Sequence, residues 1–185
     1  MRHIIFIGAM ALTSAFWSCE TVDLSDVNNS STSGATVDTC YIWNGHIVVN
    51  EKRSDSGGIE LLLLSLYEWS DMPSANHVTD STLARVVAER YQEMDLCEWH
   101  VPTQEEAKCL RTTYESGSVS LERLNTVLAE NDALVVSGDA RYLCNEGRKS
   151  FSFAPGTSIA NAGSKTRTYR LRLVKRVGGD DDGRK

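Results

Sequence analysis

Trp99-His100-Val101-Pro102-Thr103-Gln104-Glu105-Glu106-Ala107 reads as a short strand that turns abruptly into a helix. Thr103, with Glu106 three residues later, makes a capping box in which each side chain satisfies the other residue's orphan amide. Pro102 sits just outside and biases Val101 toward extended backbone. Glu105 suits the positive end of the helix dipole, so neither acid requires a catalytic role. Ala107, Leu110 and Tyr114 then recur on one face, which predicts a buried stripe with Cys109 on the opposite side.

Toward the C-terminus, Leu121, Leu124 and Leu128 predict a further helix with Ser120 as its cap. The remainder reads as sheet, over 133–136, 141–144, 150–153 and 167–177. In the last run Tyr169, Leu171 and Leu173 alternate with Arg170 and Arg172, which predicts one buried face and one basic, wet face. Residues 178–185 read as a disordered charged tail. Toward the N-terminus, Leu83, Val86, Val87 and Met94 recur at helical spacing behind Asp80, a suitable N-cap, although Arg90 interrupts that face. The apolar run from Ile59 to Leu66 is short and bounded by loops, which favours a strand. Tyr41-Ile42-Trp43, then Asn44-Gly45, then His46-Ile47-Val48-Val49 predicts a hairpin, because Asn-Gly supplies both positive-φ positions of a type I′ turn.

An apolar strand, a helix, Trp99-x-Val101-Pro102-Thr103-x-Glu105-Glu106, a second helix and a closing strand ending Leu171-Arg172-Leu173-Val174 form an order with a known likeness. It resembles the Fibrobacter succinogenes major paralogous domain and related modules of exported Bacteroidales lipoproteins, over about 59–177. The resemblance implies an α+β, C-type-lectin-like fold with two principal helices packed on short antiparallel strands. Fold does not fix a ligand. The Glu-Pro-Asn, Gln-Pro-Asp and Trp-Asn-Asp motifs of calcium-dependent sugar sites do not occur here, so that chemistry is not carried over. Formylglycine-generating enzymes share the strand-to-helix motif, but their C-terminal thiol pair has no counterpart in this sequence.

The first eighteen residues have a different composition. Met1-Arg2-His3 is a short basic start, and Ile4 to Phe16 is apolar except for Gly8, Thr13 and Ser14. That is the shape of a secretory signal, and it is too short for a spanning helix of roughly 20 residues. Its end, Phe16-Trp17-Ser18-Cys19, resembles a lipoprotein signal, which predicts removal of 1–18 and acylation of Cys19, palmitate included. Phe16 and Trp17 replace the usual leucine and small residue, and an ordinary secretory signal cut nearby is the alternative. Residues 19–39 then read as the lipidated cysteine and a flexible polar tether, and 40–177 as a single domain. The expected address is the cell envelope, as an outer-membrane lipoprotein facing the periplasm or the cell surface.

A formal charge of -6 over 185 residues argues against a phosphate-backbone partner. Candidate sites are few. Arg167, Arg170 and Arg172, with Lys165, Lys175 and Arg176, offer a basic segment that fits anionic glycans or headgroups, against the plainer reading of a solvated strand face. Trp43, Trp69 and Trp99 suit sugar stacking if exposed, and core packing otherwise. Cys40, Cys97, Cys109 and Cys144 are candidate disulfide cysteines with three connectivities. Cys97-x-x-His100 with Cys109 lacks a fourth ligand, so no metal and no cofactor is expected. The expectation is a non-enzymatic binding or adhesion module with a glycan or surface-protein partner. The alternatives are a structural or tip subunit of a surface fibre, or an enzyme related to the formylglycine generators.

Overall fold

Asn44 and Gly45 take φ values of 50° and 84°, as the type I′ turn requires, and join β1 (Tyr41–Trp43) to β2 (His46–Arg53). The computed structural model describes residues 40–53, 57–75, 83–163 and 167–178, all within one unit spanning 36–185. The signal, Cys19 and the tether lie outside the described residues, as does Asp80. The chain continues through β3 (Ile59–Leu64), β4 (Trp69–Met72), α1 (Leu83–Arg90), α2 (Gln104–Thr113) and α3 (Val119–Glu130). It closes with β5 (Tyr142–Cys144), β6 (Lys149–Phe151), β7 (Ala160–Asn161), β8 (Tyr169–Leu171) and β9 (Val174–Gly178). The fold is mixed α+β.

Two sheets form, ordered β1-β2-β3-β9 and β4-β8-β5-β6-β7. All pairings are antiparallel except β5 with β8, where Tyr142 lies opposite Arg170 in parallel. The first sheet is buried on both faces at its centre, which explains the unbroken apolar run Leu61 to Leu64. Ile47, Val49, Leu62 and Leu64 face a core shared with Ala107, Leu110, Tyr114, Leu121, Leu124 and Leu128. Val48, Leu61 and Leu63 face the other, with Trp99, Tyr169, Leu171 and Leu173. A register shift between Val48 and Asn50 bends β2, and the Tyr114 hydroxyl donates to the Val49 carbonyl at 2.7 Å there.

The capping box is complete: Thr103 N–H donates to Glu106 Oε2 at 2.9 Å, and Glu106 N–H to the Thr103 hydroxyl at 3.2 Å. Several details depart from the expectations. The cap of α3 is Ser118, whose hydroxyl accepts from Leu121 N–H, and Ser120 lies buried inside the helix. In α1 the inward residues are Ala84 and Ala88, while Leu83 is exposed. Helix α1 ends at Arg90, so Met94 belongs to the following turn and not to a helical stripe. Its side chain lies over Gly45, where an added Cβ would come within 2.8 Å of it.

The run 167–177 is two strands, not one. β8 belongs to one sheet and β9 to the other, and the chain changes sheets at Arg172 and Leu173. Gly178 pairs with Glu60 and so belongs to β9 rather than to a tail. Segment 133–136, expected as sheet, is not a strand and pairs with none among the described residues.

Thr103→Ala removes an N-cap acceptor and is expected to cost about 1 kcal/mol, read as a lowered midpoint in urea unfolding with an unchanged slope. An unaltered midpoint would count against the box as a stabilising element.

Candidate functional site

Both sheets exchange strands at one place. The chain leaves the first sheet after Leu64 and enters the second at Trp69, and it returns across residues 172–173. The two crossings are tied together. Ser65 N–H donates to the Leu173 carbonyl at 2.9 Å, and Leu173 N–H donates to the Ser65 hydroxyl at 3.0 Å.

Glu68 is the acid at this crossing, with its side chain 2% exposed. Arg172 Nε donates to Glu68 Oε2 at 3.1 Å, Arg170 Nη1 to Oε1 at 2.8 Å, and the Tyr142 hydroxyl to Oε2 at 3.2 Å. Arg172 also donates through Nη1 to the Ser65 carbonyl at 3.1 Å and through Nη2 to the Leu134 carbonyl. Burial and the Glu68 charge push the Tyr142 hydroxyl up to about 12, against the opposing pull of the Ser137 amide and the two arginines. The basic face predicted for this strand is therefore not wet at Arg172, which is 3% exposed and spent on internal acceptors. A buried arginine needs such partners, and alternation of residue types alone does not reveal them. Arg170 is half-buried on the same carboxylate, and Arg167 is exposed.

A second buried acid, Glu93, holds the turn after α1. It accepts from His46 Nδ1 at 3.1 Å, from the Tyr91 hydroxyl at 2.5 Å and from Leu66 N–H at 2.7 Å. The other His46 ring nitrogen faces Asp95 Oδ1 at 3.4 Å. Burial, reinforced by the Glu93 bond and charge, raises the Tyr91 hydroxyl. Edge-on ring contacts run from Trp99 to Tyr91 (5.6 Å), Tyr91 to Trp69 (5.1 Å) and Trp69 to Tyr67 (4.8 Å). Trp99 is buried, Trp43 and Trp69 are partly buried, and the series ends at Tyr67, 58% exposed. Sequence reasoning named the tryptophans but missed Tyr67, Glu68 and Glu93; Glu68 meets Arg172 104 positions away and Glu93 meets Leu66 27 positions away.

The arginine at the crossing brings a second segment to this surface. Its guanidinium spans the Ser65 and Leu134 carbonyls, so the chain beside Tyr67 and the chain of Leu134 and Val135 sit on one clamp. Leu134 is 63% exposed and Val135 48%. Tyr67, Leu134 and Val135 are thus apolar side chains presented by irregular segments that buried hydrogen bonds hold in place.

The four described cysteines are free, and none of the candidate disulfides is formed among them. Cys40 and Cys144 are buried in the helical-side core, Cys109 is half-buried on α2, and Cys97 is exposed. Burial pushes the Cys40 thiol up to about 11 and Cys144 to about 12, with Arg123 and Lys149 opposing weakly. His100 engages Glu106 at 3.1 Å rather than a metal position, and no group of three metal-ligating side chains gathers among the described residues.

Glu106 shows how such acids set the pH range of the fold. Burial raises its pKa, but bonds from His100, the Thr103 amide and Arg176 outweigh that and hold it at about 2. A depressed carboxylate stabilises the fold above its unfolded pKa of about 4.3, and that contribution is lost as pH falls toward 2. Stability is therefore expected to fall between about pH 5 and pH 2, and Glu106→Gln to flatten that slope; an identical slope in the variant would refute the assignment. On brief alkylation of the folded protein, Cys97 is expected to react first among the described cysteines, with Cys40 and Cys144 modified only after unfolding. Equal labelling of all four would contradict the burial. Comparison with protein-family models, with curated proteins and with solved structures gave no match for this chain.

Proposed function

We propose that this chain is a non-enzymatic, lipid-anchored protein of the cell envelope whose folded body is a binding or adhesion module. Acyl chains on Cys19 tether it at the outer membrane, facing the periplasm or the cell surface, and a C-type-lectin-like fold is the finer form of the α+β body.

One observation carries the binding half. Tyr67, Leu134 and Val135 are exposed on two segments that a single buried guanidinium joins. Isolated apolar residues on a surface are ordinary, whereas apolar residues collected on a pre-ordered scaffold suit a partner, because little ordering entropy is left to lose on binding. The chemistry favours a surface protein over an anionic glycan: Arg172 is committed internally and Arg170 is shared with Glu68. The buried carboxylates Glu68, Glu93 and Glu106 each have basic partners and internal bonds, which assigns them to holding the body together.

A second reading, a subunit of a surface fibre, draws support from segment 133–136, which has no strand neighbour among the described residues.

Metabolic labelling with a palmitate analogue tests the anchor. The wild-type chain is expected to carry label in the membrane fraction and Cys19→Ala to lose it. Label that persists in the variant, or an intact leader on a protein free in the cytoplasm, would remove the proposal.

A further inference from the structure

Asn125 on α3 holds Val136 by both of its main-chain groups. Its Nδ2 donates to the Val136 carbonyl at 3.1 Å and its Oδ1 accepts from Val136 N–H at 2.7 Å. One planar amide reaches both groups only when they point the same way, as they do for a residue in a strand. Along a strand, successive residues turn these groups to opposite edges. The N–H and C=O of Val135 therefore point away from Asn125.

Those two groups have no partner among the described residues, and Val135 is half exposed. Each neighbouring residue has one main-chain group already engaged. Ala133 N–H is bonded to the Leu128 carbonyl, the Leu134 carbonyl accepts from Arg172, and Ser137 N–H donates to the Tyr142 hydroxyl where the chain bends. Val135 thus presents one donor and one acceptor from the same residue, the pair that a residue directly opposite in an antiparallel ladder exchanges. Natural sheets protect such edges with lysine, proline or a bulge, and 133–136 carries neither residue.

We infer that Val135 is the centre of a strand-addition site for an extended segment of another protein, with Tyr67 and Leu134 as the flanking apolar contacts. This rests on the reading of the body as a binding module and names the kind of partner it takes. Main-chain bonds would hold the incoming strand, and the exposed apolar side chains would select its residues. Glu130, Asp132 and Asp139 are exposed around the segment, so the strand it fits is apolar in the middle and basic at its ends. The same acids repel one another when two copies approach edge to edge, which disfavours self-pairing.

The test uses full-length protein in detergent and the synthetic peptide acetyl-Lys-Thr-Val-Ile-Val-Thr-Lys-amide, with hydrogen–deuterium exchange as the readout. The peptide is expected to slow exchange over 133–137 saturably. The same peptide with an N-methylated central isoleucine, which lacks the bridging N–H, is expected to bind roughly tenfold more weakly. Val135→Pro should weaken binding similarly, and Tyr67→Ala supplies a second variant, each checked for an unchanged circular dichroism spectrum. Three results would overturn the inference: no protection at saturating peptide, equal binding of the N-methylated peptide, or concentration-dependent self-association that protects 133–137 without peptide. None of these touches the acylation of Cys19, so failure here and failure of the anchor are separable.

Discussion

The crossing of residues 65–68 with residues 172–173 is the constraint that organises this fold. Two chain segments leave one sheet and join the other at the same place, and main-chain pairing cannot continue through either. The amides freed there are taken up by Ser65 and Leu173, and the space between the layers is filled by Glu68 and Arg172. Leaving any one of these groups without its partner would strand a buried charge or dipole, which costs several kcal/mol. The network therefore fixes which strands belong to which sheet more than it adds to net stability.

That constraint also shapes the surface. Arg172 is locked by Glu68 on one side and by two carbonyls on the other, so it cannot serve as an external basic group. The strand's charge is thereby partly withdrawn from the surface, with Arg172 buried and Arg170 shared with Glu68. Glu93 does the same at the turn after α1, where it fixes Tyr91 and, through the ring series, the orientation of Trp69 beneath Tyr67.

Local chemistry made much of this legible. Asn44-Gly45 announced the hairpin, Thr103 with Glu106 announced α2, and the short, loop-bounded apolar run from Ile59 favoured a strand. Each signal spans only a few residues and carries its own energetics. The misses share a different origin. Alternation over 169–173 has the period of one strand, yet a sheet change in its middle depends on Ser65 and Glu68, about a hundred residues away. Helix α1 presents Ala84 and Ala88 inward, and two alanines do not stand out against the larger Leu83 beside them. The candidate surface was the least visible part, because the segment before Tyr67 and the segment of Leu134 are joined only through a buried guanidinium on Ser65 and Leu134.

Strand β8 lies inside its sheet, between β4 and β5, and β9 closes the other beside β3. Both come from the segment 169–178, so neither layer is complete until that stretch arrives. Pairing of that stretch with β3 and β4 spans about a hundred residues, and contacts of such long sequence separation form slowly. Both sheets therefore depend on the same ten-residue stretch, and its loss would leave each without a strand.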